Sequence, residues 1–191
     1  MKTFFQTVYS HSFLKPDDYI KISRAHDRIE FSAGALLLEK GKIAYAFYII
    51  EEGVVRSFLH DYNGNEVTTG FYCSHDVLIE SFSLFHRAPS GEHFQALSPG
   101  VAWKIEYAVF QQLLQEIEGL REWGRNWATN ELLICKLRAI EGLTVSATDR
   151  YLQLIRKRPE IIKSSPVKYI ASYLGITDTS LSRIRKEISN L

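Results

Sequence analysis

Cysteines and long hydrophobic runs are scarce in this sequence, and each scarcity excludes a class of protein. The 191 residues contain two cysteines, Cys73 and Cys135, which lie far apart. This excludes a disulfide framework, a zinc site built from thiolates and an iron–sulfur cluster held by four cysteines. No apolar run approaches the roughly 18–20 residues that span a bilayer, and the first residues lack the pattern of a signal peptide. We therefore expect a soluble protein of the cytoplasm with no membrane contact.

Acidic and basic residues nearly balance over the whole chain but not along it. The formal net charge is +1, and hydrophobic residues make up 46% of the chain, which suffices for a buried core and excludes intrinsic disorder. Residues 149–191 contain nine basic and four acidic side chains, whereas the first 148 residues contain 14 and 18. A cationic C-terminal unit on an anionic body predicts a polyanionic partner at that end, with an ordinary solvated surface as the alternative.

Short apolar runs separated by glycines dominate the chain from about Ile29 to Ile105. This pattern is typical of many short antiparallel strands in a barrel or roll. Asp61–Asn65, between two of the runs, contains an Asn-Gly pair that accepts the positive φ angles of a tight turn, which predicts a hairpin. A helix is predicted from Pro16 onwards, because a proline followed by acids is favoured in a first helical turn. The apolar runs are Ala35–Leu38, Tyr45–Ile50, Val54–Leu59, Val67–Cys73 and Val101–Ile105.

A long helix is predicted after the strands. From Leu120 to Glu141, six residues recur at alternating spacings of three and four, which are the a and d positions of a heptad seam. The seam consists of Leu120, Trp123, Trp127, Asn130, Ile134 and Leu137. Two interpretations stay open, because the seam can pair with the same helix of a second chain or pack on the protein's own strands. The polar Asn130 fits either a register-setting pair across a dimer axis or a position facing a pocket.

The most informative segment is Ser165–Ile188. Its first half predicts a two-turn helix that begins at a proline, and Gly175 can adopt the left-handed conformation that ends such a helix. A polar residue then caps a second helix. The small Ala171, the glycine four residues later, and the apolar Leu181 and Ile184 have the spacing of a helix-turn-helix.

The second helix of this pair would present polar side chains to a DNA groove. Its predicted outward side chains are Thr179, Ser180, Ser182, Arg183 and Lys186. Arg183 has the best chemistry for reading a base, because a guanidinium donates two hydrogen bonds to guanine O6 and N7. Arg185, Lys186 and Lys168 are better suited to neutralising phosphates, which gives affinity without sequence choice. A solvated surface charge is the alternative for each lysine.

These features together resemble transcription regulators of the CRP/FNR family over essentially the whole chain. The resemblance rests on Gly53 and Gly64-Asn65-Glu66 among the strands, the long helix after Phe110, and residues 169–186. It implies an α+β fold with three parts. These are an N-terminal antiparallel β-roll (a double-stranded β-helix) with flanking helices in residues 1–118, a dimerisation helix and hinge in residues 119–143, and an all-α helix-turn-helix DNA-binding domain in residues 144–191.

The resemblance also implies a mechanism and a set of partners. The protein would be a homodimer that binds a pseudo-palindromic operator in double-stranded DNA, contacts RNA polymerase and responds to a small-molecule effector in the roll. It implies no cofactor, no metal and no enzymatic activity. The chain resembles the shorter variety of the family, which stops just past the recognition helix. Only residues 161–165 separate the preceding helix from the helix-turn-helix, so we expect the usual β-hairpin wing to be shortened or missing.

The effector pocket departs from the nucleotide-binding members of this family. Those members carry a Gly-Glu-Leu stretch, whose Glu holds the ribose, followed by an Arg-Ser/Thr-Ala stretch, whose Arg holds the cyclic phosphate. Here Ser90 or Gly91 occupies the position of that arginine, and a buried phosphate needs charge-assisted donors. We therefore expect an effector other than a cyclic nucleotide held by the usual cassette. The candidate pocket residues are Glu80, Ser81, Arg87, Ser90, Gly91 and His93.

Two other functions fit parts of the sequence. A β-roll enzyme of the cupin type needs a metal held by two closely spaced histidines, a carboxylate and a third histidine, and no His-x-His occurs among the six histidines. A ligand-binding or protein-binding module whose C-terminal helices do not touch DNA is the second alternative. The positive charge of residues 149–191 disfavours that module.

Overall fold

The computed structural model describes residues 3–189, so the outer ends of the predicted units, Met1 and Leu191, lie outside the described residues. The strands are β1 (Asp27–Phe31), β2 (Leu36–Leu38), β3 (Ala46–Glu52), β4 (Val55–His60), β5 (Glu66–Tyr72), β6 (Val77–Leu78), β7 (His93–Ala96) and β8 (Gly100–Glu106). The helices are α1 (Phe4–Val8), α2 (Pro16–Arg24), α3 (Ser81–His86), α4 (Tyr107–Glu116), α5 (Glu118–Thr144), α6 (Ala147–Lys157), α7 (Pro159–Ser164), α8 (Val167–Tyr173) and α9 (Asp178–Ser189). None of these helices is long and apolar enough to cross a bilayer.

The strands form two four-stranded antiparallel sheets, ordered β1-β8-β3-β6 and β2-β7-β4-β5. Apolar side chains of both sheets meet between them, including Ile50 and Ala102 from the first and Val55 and Phe94 from the second. The predicted antiparallel sheets and mixed α+β class are therefore confirmed. The pattern missed β1, β6 and β7, because these strands are short or carry polar residues on alternate positions.

The hairpin predicted at Asp61–Asn65 joins β4 to β5. The Asp61 carboxylate accepts hydrogen bonds from the backbone N–H groups of Asn63 and Asn65, both at 2.8 Å. Gly64 is the turn residue with a positive φ, at 83°. The side chain of an aspartate thus replaces part of the backbone hydrogen bonding that a two-residue turn would supply.

The N-terminal helices pack against the start of α5, and this corrects part of the predicted seam. Leu120 and Trp123 are buried in a core with Phe5 and Tyr9 of the same chain. The Trp123 indole donates a hydrogen bond to the Val8 carbonyl at 2.8 Å. Side chains enclosed in this way cannot pack against a second helix, so the N-terminal part of the seam belongs to the fold of the monomer.

The remaining seam positions are less covered, and Ile134 and Leu137 are 47% and 48% exposed. Trp127 stacks on Trp123 with ring centroids 6.1 Å apart, and Ile134 and Leu137 line a cleft beneath the C-terminal helices. Asn130 is exposed. A different face of α5 presents large apolar side chains to solvent. That face, called the apolar stripe below, consists of Leu132, Leu133, Ile140 and Leu143.

The C-terminal helices pack directly on the roll. Val54, Phe71 and Cys73 share a buried core with side chains of α6 to α9, including Leu154 and Ile170. Two residues separate α7 from α8, so no β-hairpin precedes α8 in the part of the chain that the structure describes. The position of the C-terminal helices is therefore set by contacts with the roll as well as by α5.

Candidate nucleic-acid interface and effector pocket

Helices α8 and α9 are joined by a tight turn at Gly175. The glycine has a φ of 68°, and the N–H of Ile176 donates to the Ala171 carbonyl at 3.0 Å, which satisfies an end of α8. The Thr177 hydroxyl accepts a hydrogen bond from the Ser180 N–H and so caps α9. Ala171 is fully buried, and its small side chain allows the two helices to approach closely. The glycine turn and the capped second helix agree with the expected spacing.

The outer face of α9 carries hydroxyl and cationic side chains. Leu181 and Ile184 are buried beneath it, so the helix cannot rotate without exposing apolar surface. Thr179, Ser182, Arg183, Arg185 and Lys186 are exposed, as predicted for an outward face. Ser180 is half-buried and its hydroxyl lies 2.9 Å from that of Thr177, while Lys168 is exposed on α8.

Arg183 is well placed to meet a ligand outside the protein. Its side chain is 76% exposed, and its Nε lies 3.9 Å from the Glu187 carboxylate one turn later. An exposed pair at this distance contributes little, because water and salt screen it. The guanidinium can therefore exchange that partner for an external acceptor at low energetic cost.

Two residues of the candidate pocket, Glu80 and Ser90, are hydrogen-bonded to nearby residues of the roll. The Glu80 carboxylate accepts a hydrogen bond from the Ser83 N–H and caps α3. The Ser90 hydroxyl is buried and donates to the Glu92 carbonyl at 2.8 Å, while the Ser90 carbonyl accepts from the Gly41 N–H. Ser81 and Gly91 are exposed. Glu80 and Ser90 thus already have hydrogen-bond partners, and residues 89–92 contain no arginine to hold a phosphate.

The two basic residues of the candidate pocket, Arg87 and His93, lie near aromatic rings. Arg87 is exposed, and its guanidinium carbon lies 5.4 Å from the ring centre of Tyr45 and 5.7 Å from that of Tyr107. His93 stacks on Phe58, with ring centroids 4.7 Å apart. Arg87 and His93 thus have aromatic partners, and their role in an effector pocket stays a prediction.

A polar cluster that the sequence analysis missed lies nearby, around Glu92. The Ser57 and Thr69 hydroxyls are 2.7 Å apart, and Thr69 also bonds to the Glu92 carboxylate. Burial, together with the nearby charge of Glu80, raises the pKa of Glu92. Burial also raises the pKa of Tyr72 to about 12. The alternation of side-chain direction along β4 and β5 could have predicted this cluster, because it places a polar side chain inside the roll between apolar ones.

This cluster does not fit a cyclic nucleotide. A cyclic phosphate is an anion, and the Glu92 carboxylate would repel it wherever the glutamate is ionised. The cassette has no arginine to offset that repulsion. A pocket without the usual phosphate contacts therefore stays a prediction.

A cleft of about 560 Å³ separates α5 from α6 and α8. Its lining includes Ile134, Leu137, Arg138, Arg150, Lys157 and Tyr173. The Arg150 guanidinium bridges it by donating to the carbonyls of Gly142 and Leu174, at 3.0 and 2.8 Å. The cleft is thus closed at one end by contacts that tie the end of α5 to the turn after α8.

The strands of the roll lie almost entirely in a segment that is similar to a known domain family. Residues 28–117 match the family model of the cyclic nucleotide-binding domain. A segment of 63 residues is 36% identical to a cAMP-dependent protein kinase regulatory subunit from Aspergillus fumigatus. That match covers 33% of this chain and 15% of the length of that protein.

Solved structures share the fold over most of the chain. The regulator CLP of Xanthomonas campestris, described as c-di-GMP responsive, has a TM-score of 0.71 at 15% identity, with 92% of each chain covered. FixK2 of Bradyrhizobium japonicum has a TM-score of 0.72 at 16% identity, with 86% of this chain and 85% of that chain covered. A CooA mutant from Carboxydothermus hydrogenoformans has a TM-score of 0.67 at 15% identity, with 99% of this chain and 85% of that chain covered. Residues 28–117 are thus similar to the cyclic nucleotide-binding domain family, and the chain shares its fold with these three solved structures.

Proposed function

We propose that this protein is a dimeric, sequence-specific DNA-binding transcription regulator of the CRP/FNR type. The observation that carries the proposal is the pair α8 and α9, joined by the left-handed Gly175 and held by the buried Ala171 and Leu181. A helix-turn-helix of this kind places its second helix in the major groove of DNA. The exposed hydroxyl and cationic face of α9 is the surface that such a groove would contact.

Arg183 is the proposed base-reading residue. Its exposed guanidinium lies 3.9 Å from the Glu187 carboxylate, a weak contact that it can exchange for two hydrogen bonds to guanine. Thr179 and Ser182 stand on the same exposed helix and can reach base edges or a phosphate. Lys168, Arg185 and Lys186 would neutralise phosphates; the residues are exposed, as that role requires.

The apolar stripe of α5 is the proposed dimer contact. Leu132 and Leu143 stand out from it, with 73% and 90% of their surfaces exposed. Exposed apolar patches on this scale are typical of interaction sites. In the proposed dimer, a two-fold axis along this face relates two copies of α9, and binding to DNA requires them to meet half-sites about 34–36 Å apart.

The effector is proposed to be a molecule other than a cyclic nucleotide. The cassette loop is bonded internally at Ser90, and Glu92 places a carboxylate beside the interior of the roll. An uncharged or cationic small molecule suits these groups better than a phosphate does. An effector there would act on DNA binding by moving the strands on which the C-terminal helices rest.

The test is a binding selection on random double-stranded DNA, followed by titration of the selected sequence at several salt concentrations. We expect a pseudo-palindromic site and a steep fall in affinity with salt. Arg183→Ala should weaken binding by about 1–3 kcal/mol and relax preference at one base pair per half-site. Arg24→Ala, an exposed arginine on α2, is the matched control and should bind as the wild type does.

Two outcomes would change the proposal. If Arg183→Ala weakens binding to all sequences equally, Arg183 is a phosphate contact and another residue of α9 reads the base. If the wild-type protein binds no DNA fragment at low salt, with or without candidate effectors, the regulator proposal is wrong. In that case a binding module without DNA contact becomes the better description.

A further inference from the structure

Arg56 lies in an unusual environment on β4. Its side chain has no exposed surface, although it carries a full positive charge. The guanidinium carbon lies 4.0 Å from the ring centre of Phe58 and 3.4 Å from that of Tyr169 on α8. The charge is therefore placed between an aromatic ring of the roll and an aromatic ring of the C-terminal helices.

The hydrogen bonds of Arg56 hold it in this position. Its Nε and Nη2 both donate to the Gln95 side-chain oxygen, at 3.0 and 2.7 Å. Nη2 also donates to the carboxylate of Glu66 on β5. Among the described residues, Nη1 is buried and has no hydrogen-bond partner.

A buried arginine of this kind adds little to the free energy of unfolding. Desolvation of a charge offsets much of the attraction of its partners, and an apolar side chain of similar volume is often as stable. The geometry of a guanidinium stacked on a ring is, however, highly specific. The contact therefore fixes an orientation more than it adds to the free energy of folding.

A second arginine makes the matching contact one helical turn later on α8. The guanidinium carbon of Arg138, on α5, lies 3.9 Å from the ring centre of Tyr173. Its Nη1 donates to the Thr69 carbonyl on β5. Tyr169 and Tyr173 are four residues apart and lie on neighbouring turns of α8. One helix is thus clamped by arginines from the roll and from the long helix.

Backbone contacts complete the attachment of α8 to the roll. The Ser172 hydroxyl accepts a hydrogen bond from the Thr68 N–H at 2.9 Å and donates to the Glu66 carbonyl at 3.3 Å. Ala171 and Leu181 are buried in the core that α8 and α9 share. Because α9 is packed on α8, it must follow when α8 moves.

We propose that Arg56 and Tyr169 are positioning residues that set the orientation of α8, and through it of α9, relative to the roll. The inference rests on the proposed DNA binding and adds a regulatory contact to it. Arg56 lies on β4 between Val55, which is in the core between the sheets, and Ser57, which belongs to the polar cluster around Glu92. A shift of β4 caused by a molecule inside the roll would move the stacked guanidinium and so reorient α9.

The first experiment measures the position of α9 without DNA. Spin labels are placed on Asn63→Cys in the β4–β5 hairpin and Glu187→Cys on α9, in a Cys135→Ser background that removes the exposed thiol. Cys73 stays, since it is buried and burial raises the pKa of its thiol to about 12, which keeps it unreactive. The labelled protein should give one narrow distance distribution.

Two variants and one conservative control are compared in this background. Arg56→Gln and Tyr169→Leu should each broaden or shift the distance distribution, and the double variant should resemble the single ones because both remove the same contact. Tyr169→Phe keeps the ring and should retain the narrow distribution. If Arg56→Gln fails to fold, the comparison of Tyr169→Leu with Tyr169→Phe still decides.

The second experiment uses the selected operator. Loosening α8 means that DNA binding must order it, so Arg56→Gln and Tyr169→Leu should weaken affinity about tenfold, whereas Tyr169→Phe should not. Unchanged distances in both variants, or tighter DNA binding, would overturn the positioning role. If the wild type binds no DNA, the proposed function fails, and the distance measurement still tests the contact.

Discussion

Replacing Leu132 by glutamine is expected to weaken the proposed dimer without destabilising the chain. Leu132 is 73% exposed on α5, so the monomer loses little apolar burial when it becomes polar. Full burial of a leucine contributes about 1.5–3 kcal/mol, and a two-fold dimer contains the residue twice. If the second chain covers the exposed part, the variant loses roughly 2–4 kcal/mol of association free energy. This corresponds to a dissociation constant raised roughly thirtyfold to several-hundredfold.

Sedimentation equilibrium over a wide concentration range measures this change directly. Tyr62→Gln is the matched control, because Tyr62 is 97% exposed at the tip of the β4–β5 hairpin and removing it also deletes exposed apolar surface. The thermal midpoint of the Leu132→Gln monomer should equal that of the wild type at a concentration where both are dissociated. An unchanged dissociation constant for Leu132→Gln would refute the assignment of the apolar stripe as the dimer contact.

Two further predictions concern buried titratable groups. Burial lowers the pKa of His26 to about 4; its Nδ1–H donates to the Ile22 carbonyl at 2.7 Å and its Nε2 accepts from the Tyr9 hydroxyl at 2.9 Å. The unfolded chain protonates this histidine first as the pH falls below about 6.5, so the free energy of unfolding should drop by about 3 kcal/mol by pH 4. Thermal melts of the double variant Tyr9→Phe/His26→Leu should lack this drop, and a wild-type stability that stays flat over that range would contradict the assignment. Burial raises the pKa of Glu92 above its ordinary 4.5, so ionisation destabilises the folded state as the pH rises through that raised value. Glu92→Gln should therefore melt higher than the wild type at pH 7 and equally at pH 4, whereas a lower midpoint at pH 7 would show that the carboxylate is stabilising.

Local patterns predicted the elements on which the proposed interface depends. Gly175 adopts the left-handed conformation that the sequence required there, and Leu181 and Ile184 are buried as their spacing indicated. These outcomes follow from steric and hydrophobic rules that act over a few residues. The same holds for the turn at Asp61–Asn65, in which a short polar side chain bonds to its own loop.

The heptad pattern of α5 was less decisive, because periodicity shows that a helix face is apolar and not what covers it. Leu120 and Trp123 turned out to be covered by the N-terminal helices. Ile134 and Leu137 of the seam remain exposed, as do Leu132 and Leu143 outside it. Only the packed structure shows which face of the helix is already covered.

The amino-acid sequence by itself determined the antiparallel strands, the long helix and the glycine-linked helix pair, since each depends on neighbours along the chain. Only the tertiary structure decides which partners the charged side chains contact. Arg56 has no motif around it, and the ring that encloses it comes from α8, distant in the sequence. Likewise, Arg87 adopts the left-handed conformation at the end of α3, and its guanidinium lies near the rings of Tyr45 and Tyr107. Long side chains reach partners that depend on how separate elements pack, and no local pattern specifies that packing.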